Sequence, residues 1–262
     1  VESIDAKIEL PDSYYDKGTG AKPGHLKTYM EGDSGSYFSG KSEAFWKYYR
    51  KYYKDLVAQL DGEVGRLLSG LRDSGLAENT VVLFTSDHGD MDTAHGLAYK
   101  GPFMYEELVR VPLLIHLPHA YFEQREVGRS GQLVSGVDLL PTLLDLAGIE
   151  VPSGIDGKSL KPMLLGEHME SKREFIVGEY NGKQRWVHPI RMLRYQDSKY
   201  VIHHTCEEEY FDLGADPSET VNLVDEDSHS QSIKTAKKQL VEWMQNTEDF
   251  FIDRYGGQCG LQ

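Results

Sequence analysis

Asp87, His88 and Lys100 are three residues whose types and spacing carry chemistry. An acid and an imidazole stand side by side at the end of Thr80-Val-Val-Leu-Phe-Thr-Ser-Asp-His-Gly-Asp90, and a lysine follows thirteen residues after the acid. A carboxylate oxygen and a neutral imidazole nitrogen both ligate divalent cations, and an ammonium group contacts an anionic ester. Together they read as half of a metal-dependent ester hydrolase site. Four apolar β-formers, Val81 to Phe84, predict a central strand covered on both faces, with ligands bound just beyond its carboxyl end. Gly89 then lets the chain turn without a side chain in the way.

The bulk composition limits the partners. With 262 residues and 39% apolar content the chain can bury a substantial core. Lys plus Arg number 28 against 42 Asp plus Glu, a formal charge of −14, which argues against nucleic acid or an anionic membrane surface. An anionic substrate is compatible with that charge if a metal ion, Lys100 and Arg110 overrule the global field at short range. No apolar run approaches the roughly 18 residues of a membrane span, and the opening Val1 to Lys7 has no signal-peptide pattern. The two cysteines, Cys206 and Cys259, are too few to predict a disulfide framework, and there is no Asn-x-Ser/Thr sequon.

The elements that must position these residues follow from periodicity. Residues 1–41, rich in Gly, Ser, Asp, Pro and Tyr, read as an irregular lead-in. A long amphipathic helix is expected from Ser42 to about Gly75, then the Thr80–Thr85 strand, a second buried strand over Val111–Leu117, and a helix over Ser135–Gly148 closed by a left-handed glycine. From about residue 172 short β-type runs predict an antiparallel meander. A terminal helix over Ser232–Phe250 packs on it, and a mobile tail follows at Gly256–Gly260.

Four segments, in order, resemble the sulfatases of the alkaline-phosphatase superfamily. They are the long helix leading into Asn79–Asp90, His95-Gly-Leu-Ala-Tyr-Lys-Gly101 with Tyr105–Leu113, Val134–Gly148 with Gly157–Leu160, and Glu209-Tyr-Phe-Asp-Leu-Gly-Ala-Asp-Pro-Ser-Glu-Thr-Val-Asn-Leu223. They cover residues 42–262 almost continuously. The resemblance implies an α/β fold: residues 42–170 as the C-terminal part of an α/β/α sheet domain, and 171–262 as a smaller antiparallel domain with a terminal helix. It implies a calcium or magnesium ion held in part by Asp87 and His88, where His88 replaces an asparagine of many relatives, as in the iduronate and choline sulfatase branches. Lys100 falls on the lysine that contacts the sulfate ester, and His95 lies in the same loop, within reach of substrate or leaving group.

The family's formylglycine precursor motif, Cys/Ser-x-Pro-x-Arg, does not occur in this sequence, nor do the paired aspartates that complete the metal shell. The expectation is a C-terminal half, inactive alone, exported as its relatives are, and prone to self-association or to pairing with the missing N-terminal half. The substrate class would be a sulfated sugar or small sulfate ester. The alternatives are phosphodiester or phosphonate monoester hydrolysis, and a non-catalytic binding module.

Ordinary readings stand beside these. Asp90 and Asp92 read as loop acids, and Arg110 as a partner of Glu106 or Glu107. Tyr48–Tyr53 read as cover for the sheet and its edge. The Trp186–Pro189 segment and Arg191 are placed near the substrate cleft. His203-His204-x-Cys206 suggests zinc, but adjacent strand histidines face opposite ways and no second ligand pair follows, so a half-exposed strand is the preferred reading.

Overall fold

The computed structural model describes residues 8–16, 22–32, 34–118, 121, 128–167, 172–182 and 187–261; Trp186 lies outside them. Helices α1 (Gly24–Gly32) and α2 (Glu43–Asp73) lead to strand β1 (Val82–Thr85), the short helix α3 (Glu106–Val109) and strand β2 (Leu113–His116). Helices α4 (Leu139–Leu146) and α5 (Lys161–Leu165) follow. Strands β3 (Ile176–Tyr180), β4 (Ile190–Arg194), β5 (Ser198–His203) and β6 (Glu208–Asp212) then precede helices α6 (Ser230–Asn246) and α7 (Phe250–Tyr255). This is a mixed α/β chain with two antiparallel sheets, β1-β2 and β3-β4-β5-β6.

Local chemistry sets most element ends. Ser42 is extended, and its hydroxyl accepts the Phe45 N–H to start α2. Gly148 takes the left-handed conformation, φ +70°, just beyond α4, as its position after the apolar run predicts. The meander appears as expected, and its inner face packs Leu193, Tyr200, Ile202 and Tyr210 against Ile233, Ala236, Leu240 and Met244 of α6. These four helical residues recur at three- and four-residue intervals, so one stripe of α6 covers the sheet.

Five expectations need correction. The lead-in is not wholly irregular: it contains α1, and Leu26 and Tyr29 join Met91, Leu97, Phe103 and Leu108 in one buried cluster, while Leu10, Tyr14, Phe38 and Trp46 form another with Ala98. Its amphipathic span is short, so its polar and glycine content masks it. Strand β1 is not a covered central strand. It pairs with β2 alone, Phe84 and Leu114 are 36% and 59% exposed, and neither strand contributes to a buried core cluster among the described residues.

The cysteines are also paired. Cys206, in the β5–β6 turn, is disulfide-bonded to Cys259 across 53 residues of sequence, with Cα atoms 4.9 Å apart. The tail is accordingly fixed, with Cys259 and Leu261 buried in the sheet–helix core. Lastly, β5 is buried along nearly its whole length, His203 included, because the sheet is covered on both faces at that strand.

The disulfide joins the chain's last turn to the meander, so its removal frees a long loop of the unfolded chain. Replacing both cysteines with alanine is expected to lower unfolding stability by about 2–4 kcal/mol, read as a shift in urea midpoint, with the same loss on reducing the native protein.

Candidate functional site

Strand β1 ends at Thr85, and the next four residues build the candidate site. Ser86 donates through Oγ to the His88 carbonyl at 2.7 Å, and the His88 N–H donates to Asp87 Oδ1 at 2.9 Å, which folds the chain into a tight hook. That backbone donor holds the Asp87 carboxyl below the ordinary aspartate range. Gly89 is required for closeness, not for turning. Its N–H donates to the Leu108 carbonyl at 2.9 Å, and a Cβ there would lie 1.8 Å from the Glu107 carbonyl oxygen of α3.

The His88 ring has a defined tautomer. Nδ1 is 2.7 Å from the Gly89 carbonyl, which can only accept, so Nδ1 carries the proton. Nε2 lies 2.5 Å from Lys100 Nζ, which can only donate, so Nε2 presents its lone pair there, with Asp87 Oδ2 3.3 Å away. An exposed carboxylate, an unprotonated imidazole nitrogen and an ammonium group thus converge on one point, and the Nδ1–H to carbonyl bond is the orienting contact metal-ligating histidines use. This donor pair fits a divalent cation. The arrangement brings Asp87, His88 and Lys100 together.

His95 is placed differently. Its side chain is fully buried, stacked on Tyr105 with centroids 4.0 Å apart, and its Nδ1 lies 3.2 Å from Lys22 Nζ and 3.8 Å from Asp16 Oδ2. Burial, aided by Lys22, pushes its pKa down to about 3, so the ring is neutral. No hydrogen bond joins it to Lys100 among the described residues. Its backbone is left-handed, as are those of Asp92, Thr93 and Tyr99 (φ +40° to +77° across the four), so residues 92–99 form a strained loop.

Helix α2 holds that loop. Tyr49 Oη donates to Asp90 Oδ1 at 3.2 Å and accepts from the Tyr99 N–H at 3.3 Å, and Arg50 Nε lies 3.4 Å from Asp92 Oδ2. The two loop acids are therefore anchors. Sequence reading also missed the partners of Glu106. Arg110 is exposed, and Glu106 instead pairs with Arg194 at 3.0 Å and Lys199 at 2.9 Å. Lys199 is fully buried and also reaches Glu219 at 2.7 Å and the Met104 carbonyl at 2.7 Å, while the Glu106 N–H donates to Glu219 Oε2 at 2.6 Å.

Burial pushes Glu106 up, but Arg194 and Lys199 outweigh it and hold it down to about 2, whereas burial takes Glu219 up to about 7 despite Lys199. The only local sign of this network was the acid of the Asp-Pro-Ser-Glu run. Arg191, expected near the cleft, is fully buried against Asp249 and the rings of Phe250 and Phe251. His188 is buried with His25 and His203.

Comparisons with known proteins identify the family of this chain. A family described as "Sulfatase" matches residues 11–149, and one described as "N-sulphoglucosamine sulphohydrolase, C-terminal" matches residues 94–246. An arylsulfatase of Clostridium perfringens is 33% identical over 205 residues, covering 77% of this chain and 41% of that protein. An N-acetylglucosamine-6-O-sulfatase of Bacteroides thetaiotaomicron is 32% identical over 257 residues, 93% of this chain and 43% of its own length. The chain thus spans about two fifths of the curated relatives it matches. A solved 2-O GAG sulfatase superposes with a TM-score of 0.83 at 26% identity, over 94% of this chain and 53% of that one. A protein solved with its substrate D-glucosamine-2-N,6-O-disulfate gives 0.67 at 31% identity, over 86% and 46%.

The buried charges around the site loop predict two measurable effects. Lys199→Met leaves Glu219 buried without a cation, so it is expected to destabilise the chain by about 3–5 kcal/mol in chemical denaturation, more than Lys161→Met at the partly exposed Asp145 pair. For His95 the folded pKa lies below the unfolded value of about 6.5, so the unfolded chain binds the extra proton. Its stabilisation is complete above about pH 6.5 and is lost as pH falls toward 3. His95→Asn is expected to flatten the stability–pH slope in that window by at most about 1.4 kcal/mol per pH unit, measured by urea titrations at several pH values.

Proposed function

We propose, from the premise that this chain belongs to the sulfatase family, that it supplies the Asp87–His88–Lys100 half of a sulfuric ester hydrolase site acting on sulfated sugars. The observation that carries the reading is the convergence of the Asp87 carboxylate, the unprotonated Nε2 of His88 and the Lys100 ammonium at the end of β1. The naming of the relatives supports the sugar: one is an N-acetylglucosamine-6-O-sulfatase, and another a Delta 4,5-hexuronate-2-O-sulfatase.

Asp87 and His88 would hold a calcium or magnesium ion, which supplies electrostatic stabilisation of charge on the ester oxygens. Lys100, exposed and on a flexible stem, donates to an anionic sulfate oxygen and offsets the negative field of the chain at the reacting group. The hook of Ser86 and the Asp87 side chain sets the carboxylate and the Gly89 carbonyl sets the imidazole, while Lys100 Nζ, 2.5 Å from Nε2, would have to swing off that nitrogen for an ion to bind there. His95, neutral and fully buried against Tyr105, meets no substrate in this arrangement and instead supports the loop that carries Lys100 from beneath.

The nucleophile lies outside this chain in the same reading. Both cysteines are bound to each other, so neither serves as a formylglycine precursor, and two metal ligands fall short of the roughly 6–8 that calcium takes. The bare apolar residues Leu60, Leu67, Phe84 and Leu114 support a covering N-terminal portion of the same enzyme, without which the chain hydrolyses nothing. The disulfide supports an exported, oxidising location, and no described helix is long and apolar enough to cross a membrane.

The test is sulfate release from a 6-O- or 2-O-sulfated glucosamine by the enzyme that contains this chain. Lys100→Ala and Asp87→Asn are each expected to lower kcat/KM about 10²–10³-fold, with calcium affinity reduced only in the aspartate variant. Unchanged turnover in Lys100→Ala, or faster hydrolysis of a phosphonate monoester than of any sulfated sugar, overturns the reading.

A further inference from the structure

A second group of chemistry-bearing side chains lies away from the Asp87 site. His25 sits in the first turn of α1, His188 just before β4, and His203 at the last position of β5, where it pairs in register with Ile190. All three are buried, at 7%, 6% and 1% exposure, and a ring nitrogen from each lies within 4.8 Å of one from each of the others.

In two of the three rings the other nitrogen is already committed. His25 Nε2 is 2.7 Å from the Pro102 carbonyl, which can only accept, so Nε2 holds the proton and Nδ1 keeps a lone pair. That Nδ1 is buried and has no hydrogen-bond partner. His203 Nε2 donates to Glu209 Oε2 at 2.8 Å, which leaves its Nδ1 as an acceptor in turn. The contact follows from the register: Glu209 pairs with Val201, two residues from His203 and on the same face of β5. His188 Nε2 then lies 3.2 Å from His203 Nδ1. Two ligand atoms on one tetrahedral ion with bonds of about 2.0–2.1 Å stand about 3.3 Å apart.

We propose that His25, His188 and His203 form a zinc site that clasps α1 to the C-terminal sheet. Three neutral imidazoles suit a borderline-soft transition ion and not calcium or magnesium, which take oxygen donors. Carbonyl and carboxylate acceptors already orient two of the three rings, as outer contacts orient metal-bound histidines elsewhere. Cys206 takes no part, since it is disulfide-bonded. The His25 and His188 rings stack at 4.2 Å with planes 26° apart, so zinc binding opens that stack and moves the His188 proton from Nε2 to Nδ1. Such a site stabilises the fold and is independent of the sulfatase reading.

Zinc chloride is titrated into the protein bearing Asp87→Ala and His88→Ala, in excess calcium, with calorimetry and thermal unfolding as readouts. The expected result is one saturable zinc per chain and a higher Tm. Cobalt in its place gives the intense visible bands of a four-coordinate ion. His25→Phe, which keeps a ring in the stack, is expected to abolish the binding, and Glu209→Gln to weaken it about 10–100-fold. Absence of saturable zinc binding in the parent overturns the proposal without reference to any variant. So does undiminished binding in His25→Phe, which leaves the cluster as a packed, metal-free histidine core.

Discussion

Lys199 is the cation on which the arrangement of this chain depends. Fully buried on β5, it meets Glu219, Glu106 and the Met104 carbonyl, and Arg194 on β4 grips Glu106 from the same sheet. These contacts fix helix α3 against the meander. Helix α3 in turn receives the Gly89 N–H and leaves no room for a side chain there. The position of Asp87 and His88 is therefore set by a charge network in a different sheet. Removing a partner from such a network is costly because the remaining charge has no water to turn to.

Strain and anchoring divide the work in the site loop. Asp92, Thr93, His95 and Tyr99 adopt left-handed backbone, which costs free energy for residues with a Cβ. The loop keeps this shape because Met91, Ala94, Leu97 and Ala98 are buried beneath it and because Tyr49 and Arg50 of α2 hold Asp90 and Asp92 from above. Lys100 emerges from the loop's far end into solvent, beside His88. A chain of net charge −14 thus places an exposed ammonium group beside the Asp87–His88 pair.

The C-terminal sheet does more than support. Its β5–β6 end carries the disulfide to the chain's final turn, and three residues earlier it carries His203 into the cluster with His25 and His188. Helix α1 is held at that end by the Pro102 carbonyl through His25 and by Glu207 through the Gly24 N–H. The sheet, the early helix and the Lys100 loop meet there, so packing and site geometry are coupled. Leu60, Leu67, Phe84 and Leu114 are all exposed, and none of them joins a buried core cluster among the described residues.

What the sequence alone determined is what short-range periodicity and motif chemistry encode. The Ser42 cap and the helix after it, the strand ending in Asp-His-Gly, the alternating runs of the meander and the stripe of α6 all depend on neighbours within a few residues, and each was legible. The sequence also singled out Asp87, His88 and Lys100, which the fold sets side by side. The tertiary structure alone decided that Glu106 pairs with Lys199 and Arg194 and not Arg110, that Cys206 meets Cys259, and that His203 is buried beside His25. It also decided that β1 has a single strand partner among the described residues. The ion pairs, the disulfide and the histidine cluster join residues from 53 to more than 170 positions apart. A local pattern states that a charge or an imidazole is present, and only the folded packing states which group removes it from water.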